Sequence, residues 1–230
     1  LAINHFRTLI DNHRSHKFAA WAAYTTGFIH EKRGDLDAAL AAYSMVQVGF
    51  PESESVSAAM YRSGLILFNR GEYPISLEML NKVIADGHNA AVVNHTYFLL
   101  GEIAYSKGQA GRAENYYLNV LSTDSTSDPA AKSLFALGWL ATEREEWKKA
   151  FNYYQRLTIN FPDDELTPAA LLEMGTALIE NSEPERGLAI WESIWETYPH
   201  SPAGQTALIE AGTLFYHRGN YPKALELFRN

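Results

Sequence analysis

Small, large and polar positions recur along this chain with a period of 37 residues. The clearest marker is a glycine that returns without a slip: Gly27, Gly64, Gly101, Gly138, Gly175 and Gly212. The position seven residues after the marker is mostly glycine: Gly34, Gly71, Gly108, Glu145, Ser182 and Gly219. The position twelve after it is small (Ala39, Ser76, Ala113, Ala150, Gly187, Ala224), and the position sixteen after it is large (Tyr43, Leu80, Tyr117, Tyr154, Trp191, Phe228). A constant period of this length indicates tandem copies of one structural unit.

Each copy contains two segments whose apolar residues have helical spacing. In the last copy the first segment has apolar residues at Ala207, Leu208, Ala211, Leu214 and Phe215, and the second has them at Tyr221, Ala224, Leu225, Leu227 and Phe228. The glycine seven residues after the marker is suited to end the first helix, because the left-handed conformation strains a side chain. Small residues at the marker and at the twelfth position let two helices approach closely, and the large sixteenth residue fills the gap. The pattern predicts antiparallel helix pairs that stack into one continuous core.

Proline-containing linkers separate some of the copies. Phe161-Pro162 and Tyr198-Pro199 follow second helices, where proline stops the helix. Ser201 or Thr167, each followed by a proline, can then cap the next first helix.

These positions resemble the tetratricopeptide repeat family. In the last copy the family's pattern is carried by Leu208, Gly212, Phe215, Gly219, Tyr221, Ala224 and Phe228. The resemblance implies an all-α fold, a right-handed α-solenoid of tandem antiparallel helix pairs. It covers residues 1–230 as a single array, with the second helix of a truncated repeat and its linker at 1–16 and six further repeats from about 17, 54, 91, 128, 165 and 202. Neither end has the polar cap of a complete solenoid, so we expect a fragment of a longer one.

The resemblance also implies a concave groove, lined by the first helices, that binds a partner. Three rows of residues face it by helical spacing, at three before, one after and four after each marker. The aromatic groove candidates, with Trp21 added, are Trp21, Tyr24, Phe28, Tyr61, Phe68, Phe98, Tyr105, Phe135, Trp139 and Tyr216. The alternative is that these rings pack between neighbouring helices, as buried aromatic stripes do. Only Lys32, Asn69 and Lys132 could grip an acidic peptide tail from inward positions, so a basic clamp is not predicted.

Composition narrows the chemistry. The chain has no cysteine, which excludes thiolate metal sites and a cysteine nucleophile, and its net charge of -8 disfavours general nucleic-acid binding. It lacks an apolar run long enough to insert in a membrane. His5, His13, His16 and Asp11 lie close together near the start, but a solvated linker explains them as well as a metal site does. We therefore predict no catalytic residue, no metal and no cofactor.

The sequence thus predicts a protein–protein interaction scaffold, and not an enzyme, that binds a peptide or protein partner in its groove. The lengthened linker resembles that of bacterial envelope members of the family, which predicts a periplasmic or cell-envelope location within an envelope assembly. A cytoplasmic location is the alternative. The alternative function is an oligomerisation or regulatory arm of a larger multidomain protein, such as a secretion component or an enzyme, with possible self-association.

Overall fold

A computed structural model describes residues 2–13, 16, 18–87 and 89–229, and these residues form helices and turns without a strand. Leu1 and the predicted repeat start at Lys17 lie outside the described residues. The helices are α1 (Ala2–Asn12), α2 (Ala19–Lys32), α3 (Leu36–Gly49), α4 (Ser55–Asn69), α5 (Tyr73–Asp86), α6 (Ala90–Ser106), α7 (Ala110–Thr123), α8 (Asp128–Glu143), α9 (Trp147–Asn160), α10 (Thr167–Glu180), α11 (Pro184–Thr197), α12 (Pro202–His217) and α13 (Tyr221–Phe228). None of these helices is long and apolar enough to cross a bilayer.

Consecutive helices pack as pairs, which confirms the predicted all-α repeat architecture. The pairs α2–α3, α4–α5, α8–α9, α10–α11 and α12–α13 are in contact, and α3–α4, α5–α6, α9–α10 and α11–α12 join one pair to the next. The first helices of successive pairs also touch, α2 with α4, α4 with α6 and α10 with α12. In the described part of the chain, no comparable contact joins successive second helices. The first helices therefore form the inner side of each stack.

The contacts divide the chain into two compact units. Unit 1 spans Leu1–Tyr116 and unit 2 spans Tyr117–Asn230, with the boundary inside α7. In unit 1, Tyr43, Val46 and Leu80 are fully buried in the core. Tyr154, Leu157 and Ile194 hold the same role in unit 2. Each unit therefore buries its own hydrophobic side chains between its stacked helices.

At five of the marker glycines the second helix of the pair lies so close that an added Cβ would clash with it. A Cβ added to Gly138 meets Tyr154 Cε1 at 2.5 Å, and one added to Gly27 meets Tyr43 Cε1 at 2.6 Å. The same relation joins Gly64 to Leu80, Gly175 to Trp191 and Gly212 to Phe228. In every case the neighbour is the large residue sixteen positions later, so the predicted packing of small against large is confirmed.

The first helices end in the left-handed conformation predicted from the glycine seven residues after each marker. Gly34, Gly71, Gly108 and Gly219 have φ values of 78°, 79°, 70° and 76°. Glu145 and Ser182 occupy the same repeat position with φ values of 58° and 66° although they are not glycine. The geometry of the repeat thus forces a left-handed residue even where the side chain disfavours it.

Of the two predicted helix caps, one is confirmed and one is wrong. Ser201 precedes α12, and its Oγ accepts a hydrogen bond from Gly204 N at 2.9 Å. Thr167 is instead the first residue of α10, and its buried hydroxyl donates to Phe161 O at 2.6 Å. The Asp164 carboxylate accepts from Leu166 N at 2.8 Å in the turn before the helix. Leu166 therefore takes the N-cap position one residue earlier than predicted.

Candidate functional site

The first helices expose a surface in each unit that we call the first-helix face. It consists of the inward side chains of α2, α4 and α6 in unit 1 and of α8, α10 and α12 in unit 2. The ten predicted aromatic residues all lie on these helices. They divide into rings that pack inside the array and rings that remain exposed.

Half-buried rings form the first group, and their contacts are with other aromatic side chains of the stack. Ring centroids are 5.7 Å apart for Tyr24 and Tyr43, 6.0 Å for Tyr61 and His95, 5.7 Å for Phe68 and Tyr73, and 5.5 Å for Phe135 and Tyr154. Phe98 is also half-buried, on α6. For these residues the structure shows the packing between helices that the sequence left as the alternative.

Exposed rings form the second group. Trp21, Tyr105, Trp139 and Tyr216 keep 51%, 37%, 41% and 56% of their surface exposed. Trp21 lies at the linker edge of α2, where its ring meets Phe6 edge-on and lines a cleft of about 990 Å³ with Phe18 and Phe50. Tyr105, Trp139 and Tyr216 lie on the predicted rows and remain candidates for contact with a partner.

Phe28 belongs to a charged cluster between α2 and α4. The guanidinium carbon of Arg62 lies 4.9 Å from the Phe28 ring centroid, and Lys32 Nζ lies 5.3 Å from it. Arg62 Nη1 donates to Glu31 Oε1 at 2.9 Å, and Tyr43 Oη donates to Glu31 Oε2 at 2.6 Å. Burial, followed by the hydrogen bond to Glu31, raises the pKa of Tyr43 well above its usual range, so the hydroxyl stays a donor. A guanidinium, a carboxylate and a phenol thus satisfy one another within unit 1.

The corresponding positions in unit 2 carry a different charge pattern. Three periods further along the chain, Tyr154 stands at the place of Tyr43, Thr142 at that of Glu31, and Glu173 at that of Arg62. The Tyr154 hydroxyl is fully buried without a hydrogen-bond partner. Burial raises the pKa of Tyr154 above its usual range, and Thr142 beside it offsets part of that rise. The Thr142 hydroxyl itself donates to Gly138 O at 3.1 Å.

Glu173 is a partly buried carboxylate on the inner side of α10. Burial raises its pKa above the ordinary value. Within the described part of the chain, no hydrogen bond or ion pair reaches its carboxylate. Desolvated carboxylates are costly unless a cation or donor compensates them, so Glu173 is the least satisfied charge on this face.

A cleft of about 400 Å³ opens between α10 and α12 beside Glu173. Its lining is Leu172, Glu173, Thr176, Ile179, Glu180, Trp191, Thr206, Glu210, Thr213, Leu214 and His217. The lining thus combines three carboxylates with three threonines, one histidine and apolar side chains, and it contains no lysine or arginine. Its electrostatic character favours a cationic group with an apolar stem.

The histidines near the start of the chain do not gather in the structure. Arg7 Nε lies 3.8 Å from Asp11 Oδ2, so Asp11 faces a cation of its own helix. Across the described residues, no group of three or more histidine or carboxylate side chains is placed to hold a metal ion.

Sequence reasoning missed the row two residues before each marker. This row carries Thr25, Arg62, Leu99, Ala136, Glu173 and Glu210. The period marks positions by shared character, and this row has none, which is why the search for common residue types passed over it. What identifies this row is the reversal of charge from Arg62 to Glu173 at the same position of the repeat.

Comparisons with known proteins agree with this architecture. The tetratricopeptide repeat family model matches residues 98–165 and 172–230, more than half of the chain. A search of curated proteins found no match. Known structures match the fold at low sequence identity.

Three such structures illustrate the likeness. The C-terminal part of a TPR repeat-containing protein from Cytophaga hutchinsonii is 17% identical with a TM-score of 0.76, covering 99% of this chain and 86% of that one. YrrB, described as a TPR protein with an unusual peptide-binding site, is 16% identical with a TM-score of 0.65, covering 89% and 98%. PilW, described as a widely conserved type IV pilus biogenesis factor, is 16% identical with a TM-score of 0.64, covering 89% and 88%. At these identities the likeness shows the fold alone.

Proposed function

Because this chain belongs to the tetratricopeptide repeat family, we propose that it is an interaction scaffold that binds an extended peptide segment of a protein partner on its first-helix face. The observation that carries the proposal is the exposure of Trp139 and Tyr216 on that face in unit 2, and separately of Tyr105 on that face in unit 1. Large aromatic side chains stabilise an interface strongly when a partner covers them, and they are enriched at binding hot spots. The peptide-binding site in the description of YrrB supports a ligand of the same class.

The mechanism follows from the packing of the helices. Close helix pairs hold the exposed rings on rigid elements, so little conformational entropy is lost by the scaffold when a peptide binds. Most of the conformational entropy lost on binding is therefore lost by the peptide, and the aromatic rings provide the contact area. This division of roles requires no chemical step, and we propose that the chain acts without catalysis.

A peptide selection tests the proposal. Peptides selected from a random display library on the intact chain are measured against two variants, Trp139→Ala and Ile159→Ala. Trp139 lies on α8 and Ile159 on α9, and their exposed fractions are 41% and 68%. We expect Trp139→Ala to lower the affinity for the selected peptides by about tenfold or more, as hot-spot truncations do.

The control Ile159→Ala removes a comparably large exposed side chain from a second helix, and its effect should stay below about twofold. Thermal melts of both variants must match the parent, since an exposed ring contributes little to the core. Selected peptides that depend on Ile159, or on neither residue, contradict the proposal. A sharp loss of thermal stability in Trp139→Ala with unchanged binding assigns that ring to the core instead.

We also propose a bacterial cell-envelope setting for the partner complex. The support is the lengthened linkers with Phe161-Pro162 and Tyr198-Pro199, which resemble those of envelope members of the family. The test is a fusion of the complete gene product to alkaline phosphatase, which is active only outside the cytoplasm. Activity of a cytoplasmic reporter fused at the same point, and inactivity of the phosphatase, contradict this setting.

A further inference from the structure

We propose that Glu173 is the centre of a subsite on the first-helix face of unit 2 that takes an arginine side chain of the bound peptide. The inference rests on the proposed function, because it names the chemistry of one peptide residue. It requires that Glu173 has no cation of its own chain and that the cleft beside it has room for the stem of an arginine side chain. The following observations address each requirement.

Charge is the first observation. Glu173 has no cation or hydrogen-bond donor in the described part of the chain, and Glu180 and Glu210 line the same cleft. Burial raises the pKa of Glu173, so its charged form is held at a cost that a bound guanidinium relieves. Charge-assisted hydrogen bonds to a carboxylate are among the stronger polar contacts in proteins. The cleft contains no lysine or arginine that could serve this role internally.

The second observation is that the chain already contains a filled version of this arrangement. In unit 1, the guanidinium of Arg62 lies on the Phe28 ring and pairs with Glu31. Three periods later the aromatic position is Trp139 and the guanidinium position is Glu173. At these repeat positions the internal cation of unit 1 is therefore replaced by a carboxylate, and the sequence keeps an aromatic residue at the position of Phe28. Arginine stacks well on aromatic faces, and tryptophan is the strongest ring for this contact.

The third observation concerns the hydroxyl of Tyr154, which lies near Glu173. The Tyr154 hydroxyl is fully buried, and burial raises its pKa; Thr142 beside it acts in the opposite direction, and the nearby Glu173 charge raises the pKa further. In unit 1 the corresponding hydroxyl of Tyr43 is satisfied by the carboxylate that pairs with Arg62. Unpaired buried polar groups are rare in native proteins and call for an explanation. A carboxylate held by a bound guanidinium would accept from this hydroxyl, as Glu31 accepts from Tyr43 while it pairs with Arg62 in unit 1.

The shape of the cleft fits the stem of an arginine. Leu172, Ile179 and Leu214 line it together with the carboxylates, in a volume of about 400 Å³. The methylene groups of arginine gain from apolar contact while the guanidinium remains at the polar rim. A lysine offers the same charge but lacks the planar face and the paired donors, so arginine is the preferred residue.

The test uses three capped heptapeptides that differ only at the central position, which is arginine, lysine or the neutral isostere citrulline, flanked by alanine and leucine. Each is titrated into the isotopically labelled intact chain, and amide chemical shifts report the site and the affinity. The arginine peptide should shift amides of α10 and α12, which line the cleft, and it should bind about tenfold more tightly than the citrulline peptide. Glu173→Gln should remove most of that difference.

The matched control is Glu192→Gln, which removes the same charge from an exposed position on the second helix α11. It should change the affinity of the arginine peptide by less than about twofold, because exposed charges are screened by salt. Equal losses in the two variants overturn the proposal, since they reduce the effect to net charge. Equal binding of arginine and citrulline, shifts confined to the second helices, or no binding of any peptide also overturn it.

These outcomes separate the subsite from the proposed function. If all three peptides bind the first-helix face equally and Glu173→Gln has no effect, peptide binding stands and the arginine subsite is wrong. If the selected library peptides depend on Ile159 instead of Trp139, the proposed function itself is wrong.

Discussion

At the scale of single residues, the close approach at the marker glycines makes a sharp prediction. A Cβ at Gly138 falls 2.5 Å from Tyr154 Cε1 and 2.7 Å from Cζ, and Tyr154 is fully buried. The ring has no space into which to move, so the helices must separate. We expect Gly138→Ala to lower the free energy of unfolding by about 1–2 kcal/mol, because overpacking outweighs the gain in helix propensity. Urea denaturation followed by circular dichroism measures the change.

Gly111 provides the matched control for that substitution. It lies in α7, has no neighbouring atom within 4 Å of an added Cβ, and has no positive φ. Gly111→Ala should raise the free energy of unfolding by up to about 1 kcal/mol, because only the backbone entropy of glycine is removed. If the two substitutions act alike, the marker glycines are not required by close packing.

The left-handed residue at the end of each first helix gives a second prediction at this scale. Glu145 has a φ of 58°, where a residue with a side chain is strained by about 1–2 kcal/mol. Glycine at this position removes the strain but loses more backbone entropy on folding. Glu145→Gly should therefore raise the free energy of unfolding by about 0.5–1 kcal/mol. The reverse change, Gly71→Ala, meets no atom within 4 Å and should destabilise through backbone strain alone. A lower denaturation midpoint for Glu145→Gly contradicts this account.

At the scale of helices, most of the architecture could be predicted from the sequence. The sequence predicts repeats from about 54, 91, 128, 165 and 202. The first helices of the structure begin at Ser55, Ala90, Asp128, Thr167 and Pro202. The repeat fixes these positions because the same small and large residues meet in every pair. The cap before α10 could not be predicted, since Thr167 is drawn into the core by its bond to Phe161 O. Side-chain burial of this kind depends on the neighbouring repeat and not on the local sequence.

The candidate site was predicted less completely than the helices. The rows named from helical spacing do lie on the first helices, but spacing alone does not separate the packed Phe135 from the exposed Trp139. The exposure of each ring depends on the size of its neighbours in the adjacent pair. Glu173 and Arg62 were missed because they differ in charge at the same repeat position, and a repeat pattern records only what is shared.

The burial of Glu173 on α10 predicts how the thermal stability of the chain depends on pH. Burial raises its pKa in the folded chain, so folding disfavours the ionised form, and that penalty is present above the raised pKa and vanishes as pH falls below the unfolded value. Glu173→Gln should therefore melt at a higher temperature than the parent at about pH 8, with the difference shrinking toward about pH 4. Thermal melts over this range measure it.

The control for the pH experiment has the opposite sign. The hydrogen bond and ion pair with Lys82 lower the pKa of exposed Glu78, so any stability it contributes is present at neutral pH and is lost in acid. Glu78→Gln should never exceed the parent in melting temperature. A Glu173→Gln variant that is more stable yet binds the arginine peptide less well separates a binding role from a structural one. A fall in its stability at about pH 8 contradicts the desolvated state of Glu173.

At the scale of the whole chain, the repeat pattern predicts how far along the chain a destabilising substitution acts. Among the described residues of each unit, helix pairs contact the pairs next to them in sequence, and stability in such arrays is a sum of local terms. The period of 37 residues runs without change through the boundary between Tyr116 and Tyr117, so the sequence pattern predicts no division there. The division comes from the distribution of contacts, which depends on how each pair of helices packs.

Hydrogen exchange can measure this locality directly. In Gly212→Ala the added Cβ meets Phe228 Cε1 at 2.5 Å, and in Gly27→Ala it meets Tyr43 Cε1 at 2.6 Å, so the same clash is placed near opposite ends of the chain. We expect the first variant to accelerate amide exchange in α10–α13 and to leave α2–α5 unchanged, and the second to do the reverse. Uniform acceleration along the chain in both variants contradicts nearest-neighbour stability, because it requires the whole chain to open as one cooperative unit.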